Sequence, residues 1–184
     1  MKSLFKEYRS FFIFLGKFLL FYVVFAVLYQ LYLTGNHTEI KPVDDITILV
    51  ANNVDAFLQL LGEGYSIQQI HFEPHVRMYH MGRYGLRIVE GCNAVSVMIM
   101  FAAFVFAFST TLKKTILFII IGLLSIHLFN VIRIGLLMYA KVHFPEYNDV
   151  LHDLVFPLVI YGWVVLLWLL WMNKFTAYVA TQKK

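Results

Sequence analysis

Thr115-ILFIIIGLLSIHLFNVIRIGLLMY-Ala140 is the run on which the fold turns. At about 1.5 Å per residue it rises about 39 Å as a helix, enough to cross a hydrocarbon core of about 30 Å with some tilt. Arg133 is its one charged residue. A charge deep in a bilayer costs at least roughly 2.5–3.5 kcal/mol, so Arg133 requires a partner, a wet cavity or a route to the interface.

The rest of the chain agrees with a membrane setting. Of its 184 residues 60% are hydrophobic and 14% charged, and the mean hydropathy is +0.72. Soluble domains carry about 25% charge. The length suits a single membrane domain over residues 1–184, without internal repeats. A net charge of +4 is modest and gives no reason to expect nucleic acid as a partner. The single cysteine excludes an intramolecular disulfide. The first apolar run is too long for a cleavable signal peptide and lacks a small-residue cleavage site.

Four transmembrane helices are expected, over 11–33, 93–112, 115–140 and 154–172, giving an all-α polytopic membrane protein. Lys2, Lys6, Arg9, Lys17, Lys113, Lys114, Lys174, Lys183 and Lys184 share one side with a single acid, Glu7. The remaining ten acids fall in 34–91 and 141–153. Basic residues stay in the cytoplasm, so both termini are expected there and the acid-rich segments outside. Within the external segment 34–91, Ile46, Leu49, Val50, Val54, Phe57, Leu58 and Leu61 form a helical stripe behind the capping candidates Asp44 and Asp45. That predicts an amphipathic helix lying on the outer membrane surface. From Tyr65 the pattern becomes β-like, with Gly82 and Gly85 bracketing a candidate hairpin turn that leads into Val89-Glu90-Gly91-Cys92.

Depth can be counted from the cytoplasmic lysines. Arg133 stands 18 residues beyond Thr115, about 27 Å up the core. About 20 residues back from Lys113 lies Asn93, beside Cys92. His152 stands two residues before the last apolar run. The three reach the outer edge of the bilayer from three different helices. Their chemistry suits nucleophilic acyl transfer. A thiolate attacks a carbonyl, a histidine moves the proton between thiol and leaving amine, and a permanently charged guanidinium stabilises the oxyanion. Cys92 also precedes a helix N-terminus, whose dipole favours negative charge, and Gly91 permits close approach of a substrate backbone. Asp149 or Asp153 is placed to orient the His152 ring. Taken singly, Cys92 reads as apolar filler, Arg133 as a snorkelling cation and His152 as an interfacial polar residue. Their common depth favours the joint reading. His127, Asn130 and Arg133 form a polar stripe at spacing three, and His127 and Asn130 are read as helix–helix hydrogen bonding or support for Arg133. His71, Glu73 and His75 are a weak zinc candidate, because Pro74 breaks a helical ligand face. No cofactor is expected.

Glu90-Gly-Cys92-Asn-Ala-Val95, Asn130-Val-Ile-Arg133-Ile134 and His152 at the head of the last helix resemble the exosortase/archaeosortase family, in its short exosortase F-like type. The resemblance covers about half the chain. It implies a membrane cysteine protease/transpeptidase of the bacterial inner membrane. Such enzymes cleave C-terminal sorting signals of secreted proteins, each a short motif, a transmembrane stretch and a basic tail. They cut at the outer face and pass the protein to an acceptor such as a lipid or glycan. Cys92 would be the nucleophile, Arg133 the charged stabiliser and His152 the acid–base, with Gly91, Asn93, Asn130 and Asp153 in support. Two departures stand out: longer members have more spans, and many carry Ser-Gly or Thr-Gly where this chain has Asn93-Ala94. The competing reading is a non-catalytic membrane subunit or assembly factor for export of surface proteins or polysaccharide. A small transporter is a weaker third, since four spans show no repeat.

Overall fold

The structure is a computed structural model, and it describes residues 8–36, 43–62, 64–70, 72–109 and 111–176. Its elements are α1 (Arg9–Asn36), α2 (Asp45–Leu61), β1 (Tyr65–Gln69), β2 (His75–His80), β3 (Arg83–Val89), a 3₁₀ turn (Glu90–Cys92), α3 (Val95–Ala107), α4 (Leu112–His143) and α5 (Phe156–Trp171). Between α4 and α5 the chain passes through a 3₁₀ turn (Pro145–Tyr147), one helical turn (Asn148–Val150) and a π turn (Leu151–Val155). Lys2, Lys6, Glu7, Lys183, Lys184 and His71 lie outside the described residues.

Among the described residues, three helices rather than four are long and apolar enough to cross a membrane: Phe11–Gly35, Leu112–His143 and Pro145–Lys174. The span expected over 93–112 is the 13-residue α3. It rises about 20 Å, short of a core of about 30 Å. Its length is lost at both ends. Asn93 and Ala94, which bend out of the 3₁₀ turn, take the start, and the backbone leaves helical geometry after Ala107.

The bundle is built on α4. In its first half, Ile119 and Ile126 join Phe101, Ala102 and Val105 of α3 and Val164, Leu167 and Trp171 of α5 in one core. A Cβ on Gly122 would collide with the Phe101 ring, so α3 and α4 approach closely there. α1 leans on α3 through aromatic contacts, with the Phe14 and Phe108 centroids 4.2 Å apart and Phe21 and Phe106 5.3 Å apart.

In its second half, Val131, Ile134 and Met138 of α4 join a second core with α2 and the sheet. α2 forms where the stripe predicts. The Asp44 side chain accepts from the backbone N–H of Ile46 and Thr47, both at 3.0 Å, and so caps it. The expectation that α2 rests on the membrane surface is corrected. Val50, Val54 and Leu58 are fully buried among Val76, Met78, Ile88 and Met138, while Leu49 and Leu61 at the edges are exposed. Its stripe found a protein partner, which buries apolar area as well as lipid does.

The sheet is antiparallel, in the order β1-β2-β3. The hairpin turn is Met81-Gly82, which begins one residue earlier than the two glycines suggest and ends before Gly85. Both residues have positive φ, 49° and 73°, the geometry that matches strand twist in a two-residue turn. Gly85 lies inside β3, where any Cβ would strike the Met138 side chain. Glycine there lets β3 press against α4 and brings the following turn, with Cys92, onto the same helix.

Candidate active site

β3 runs directly into the 3₁₀ turn that ends at Cys92, and the chain must then reverse into α3. Ala94 makes that reversal with φ 63° and ψ 10°, a left-handed conformation that costs an L-residue roughly 1–2 kcal/mol. Asn93 holds the bend. Its Oδ1 accepts from the Val95 N–H at 3.0 Å, and its Nδ2 donates to the Tyr29 hydroxyl at 2.9 Å and to Thr47 Oγ1 at 3.1 Å. Both amide protons and the carbonyl oxygen are thus engaged, on a side chain that is 3% exposed. Asn93 therefore ties α1, α2 and the start of α3 together one residue past the thiol.

Asn130 fixes the thiol's neighbour on the other side. Wholly buried in α4, it donates through Nδ2 to the backbone carbonyl of Cys92 at 2.8 Å. Arg133 follows one helical turn later, so one helix face carries both the clamp and the guanidinium. His127, the third member of that stripe, bonds instead to Asn53 of α2, at 2.9 Å.

Cys92, Arg133 and His152 line one cavity of about 420 Å³. The Arg133 Nε is buried and has no hydrogen-bond partner among the described residues. Leaving such a donor unpaired costs about 1–3 kcal/mol, a penalty that an incoming acceptor would relieve. His152 sits in the π turn ahead of α5, a local widening of the helix that is frequent at functional sites. Its Nδ1 is 2.6 Å from Asp153 Oδ1, so of the two candidate carboxylates Asp153 orients the ring. With Nδ1–H donating to the carboxylate, Nε2 is left as the proton acceptor. Asp149 contributes instead to the cavity wall. Gly91 is exposed beside the thiol, with open space where a Cβ would stand.

Sequence reasoning missed several wall residues. Leu86, Arg87 and Val89 of β3, Leu137 and Lys141 of α4, and Asn148 all line the cavity. Lys141 was accessible to a periodicity argument, because Arg133, Leu137 and Lys141 recur every four residues on one face. Arg87 was not, since only the packing of β3 on α4 brings it there. Tyr29 and Thr47 likewise gave no signal as partners of Asn93. Of the weak zinc candidate, His71 lies outside the described residues, while Glu73 forms a two-pronged ion pair with Arg77 and lies 3.1 Å from His75 Nε2. Among the described residues no group of three or more His, Cys, Asp or Glu is placed to hold a metal.

No curated protein and no solved structure matches the chain. The family model for transmembrane exosortases does, over residues 8–175, which takes in every helix and strand described above. With three helices long and apolar enough to span, this chain is a multi-pass membrane protein and belongs to the transmembrane exosortase family.

Proposed function

We propose that this protein is a membrane cysteine protease/transpeptidase that cleaves C-terminal sorting signals of secreted proteins at the outer face of the bacterial inner membrane. The observation that carries the proposal is the single cavity shared by Cys92, Arg133 and His152, with the Cys92 backbone clamped to the arginine-bearing helix by Asn130.

His152 Nε2 takes the thiol proton, and Cys92 Sγ attacks the scissile carbonyl to form a C–S bond. The carbonyl electrons move onto oxygen, and the resulting oxyanion is stabilised by Arg133, whose buried Nε has no partner among the described residues. The tetrahedral intermediate collapses, the C–N bond breaks, and His152 returns its proton to the leaving amine. The product is a thioester on Cys92. An acceptor hydroxyl, amine or water then attacks that carbonyl, His152 accepts its proton, and the Cys92 thiol is released. An amine acceptor would make the reaction a transpeptidation, a lipid or glycan hydroxyl an ester-forming acyl transfer, and water a hydrolysis.

The orientation follows from charge. Arg9, Lys17, Lys113, Lys114 and Lys174 gather at the ends of helices opposite the cavity in sequence register, which favours cytoplasmic termini. α4 supports this, because 32 residues rise about 48 Å and leave its last turns beyond a core of about 30 Å, where the sheet packs on them. The test is Cys92→Ala in cells, followed by a comparison of exported proteins. Proteins that keep an apolar stretch and basic tail at their C-termini only in the variant support the proposal. An unchanged set of C-termini, with the variant inserted normally, refutes it.

A further inference from the structure

The wall of the cavity away from the membrane is cationic. Arg87 and Lys141 join Arg133 in lining it, against one carboxylate, Asp149. Among the described residues neither Arg87 nor Lys141 forms an ion pair. A second cavity of about 230 Å³ shares Tyr84 and Lys141 with the first and adds Arg83 and His80, so the positive wall continues outward from the thiol. Cations of like sign that line one cavity without ion pairs repel one another, and an incoming anion relieves that repulsion.

Distance says which part of a bound chain meets this wall. Lys141 is eight residues beyond Arg133 on α4, about 12 Å along the helix axis. An extended peptide covers about 3.3–3.6 Å per residue, so three to four residues separate the reacting carbonyl from Lys141. If the bound peptide continues into the membrane on the leaving side, the residues reaching outward are those before the scissile bond. We infer that Arg87 and Lys141 are specificity-determining residues that select an acidic side chain three or four positions before the cleaved bond.

This inference rests on the peptide-cleaving role proposed above. Leu86 and Leu137, which also line the cavity, leave an apolar stretch between thiol and cations. The pattern recognised is therefore an acid, a short apolar or small spacer, then the scissile carbonyl. A peptide with basic residues at the same positions would meet like charge and be rejected.

The test uses the purified full chain in phosphatidylcholine nanodiscs and three affinity labels that alkylate a thiol by displacing chloride. They are the chloromethyl ketones of acetyl-Glu-Glu-Ala-Ala, acetyl-Gln-Gln-Ala-Ala and acetyl-Lys-Lys-Ala-Ala. Cys92 is the only thiol, so intact mass reads its modification directly. Each rate is divided by that of iodoacetamide, which reports the thiol without the peptide. The acidic label should react about tenfold faster than the neutral one and the basic label slower than both. Arg87→Gln and Lys141→Gln should each shrink the acidic preference, and Lys141→Arg should keep it. Equal rates for the three labels on the unmodified chain overturn the inference without any variant being made. So does an acidic preference that survives both glutamine substitutions. The C-termini of exported proteins in Cys92→Ala cells are a separate readout, so the peptide-cleaving role and the acid preference can fail independently.

Discussion

Replacing Asn130 by leucine removes the clamp on Cys92 while keeping the number and branching of side-chain heavy atoms in α4. The lost bond is a 2.8 Å contact from Nδ2 to the Cys92 carbonyl, made by a side chain with no exposed surface. Leucine leaves that carbonyl facing an apolar group, at a cost of about 1–3 kcal/mol. The loss is partly offset because Asn130 Oδ1 is itself buried without a partner and disappears with the substitution. Stability should therefore fall by about 1–2 kcal/mol, a modest drop in thermal midpoint in detergent. The larger effect is on position. The 3₁₀ turn bearing the thiol is then held to α4 only by packing, and a displacement of about 1 Å from the attacking geometry costs on the order of 100-fold in rate. Processing of an exported substrate should fall about 10- to 100-fold, with iodoacetamide still reaching Cys92. Turnover within about twofold of the parent would show that Asn130 serves packing alone, and the reasoning about the clamp would be wrong.

Arg133→Lys keeps a charge but loses the planar fork of donors, so most processing should be lost while insertion measured by membrane fractionation is kept; near-normal turnover would reduce Arg133 to a snorkelling cation. Ala94→Gly should retain processing, because glycine adopts a φ of 63° without strain, whereas Ala94→Val should lose thermal stability by more than about 1 kcal/mol, both read from melting in detergent. Asp55 of α2 has its pKa raised by burial, with the Gln59 hydrogen bond opposing the shift in part. An acid with a raised folded pKa weakens the fold once ionised, so Asp55→Asn should raise the melting temperature at neutral pH. That gain should shrink as pH falls through the raised pKa to the ordinary carboxylate range; a gain independent of pH would contradict the cause.

The long apolar run through Arg133 was legible because a membrane helix declares itself by composition, and the common level of Cys92 and Arg133 by simple counting. Cys92 is 20 residues before Leu112 and Arg133 is 21 after it, so an antiparallel pair brings them level, and the Asn130–Cys92 hydrogen bond lies at that level. The true length of α3 was hidden, since Val95 to Phe108 is apolar apart from Ser96 and the stop at Ala107 depends on the turn that follows. The stripe of α2 gave its helix but not its partner, because lipid and the Val131, Ile134 and Met138 face of α4 satisfy the same pattern. Arg87 and Lys141 are 54 positions apart, and nothing local to either points to the other. Gly85 carries that information, but only once Met138 is seen above it.

The central claim is a thioester on Cys92, and hydroxylamine tests it most directly. Added to cells or nanodiscs with an exported substrate, hydroxylamine attacks a thioester carbonyl and leaves a hydroxamate at the new C-terminus. Mass spectrometry should find that hydroxamate with the parent chain and neither hydroxamate nor cleavage with Cys92→Ala. Cleavage by the alanine variant at the parent rate, ending in a plain carboxylate, would contradict the account and leave the non-catalytic subunit as the better reading.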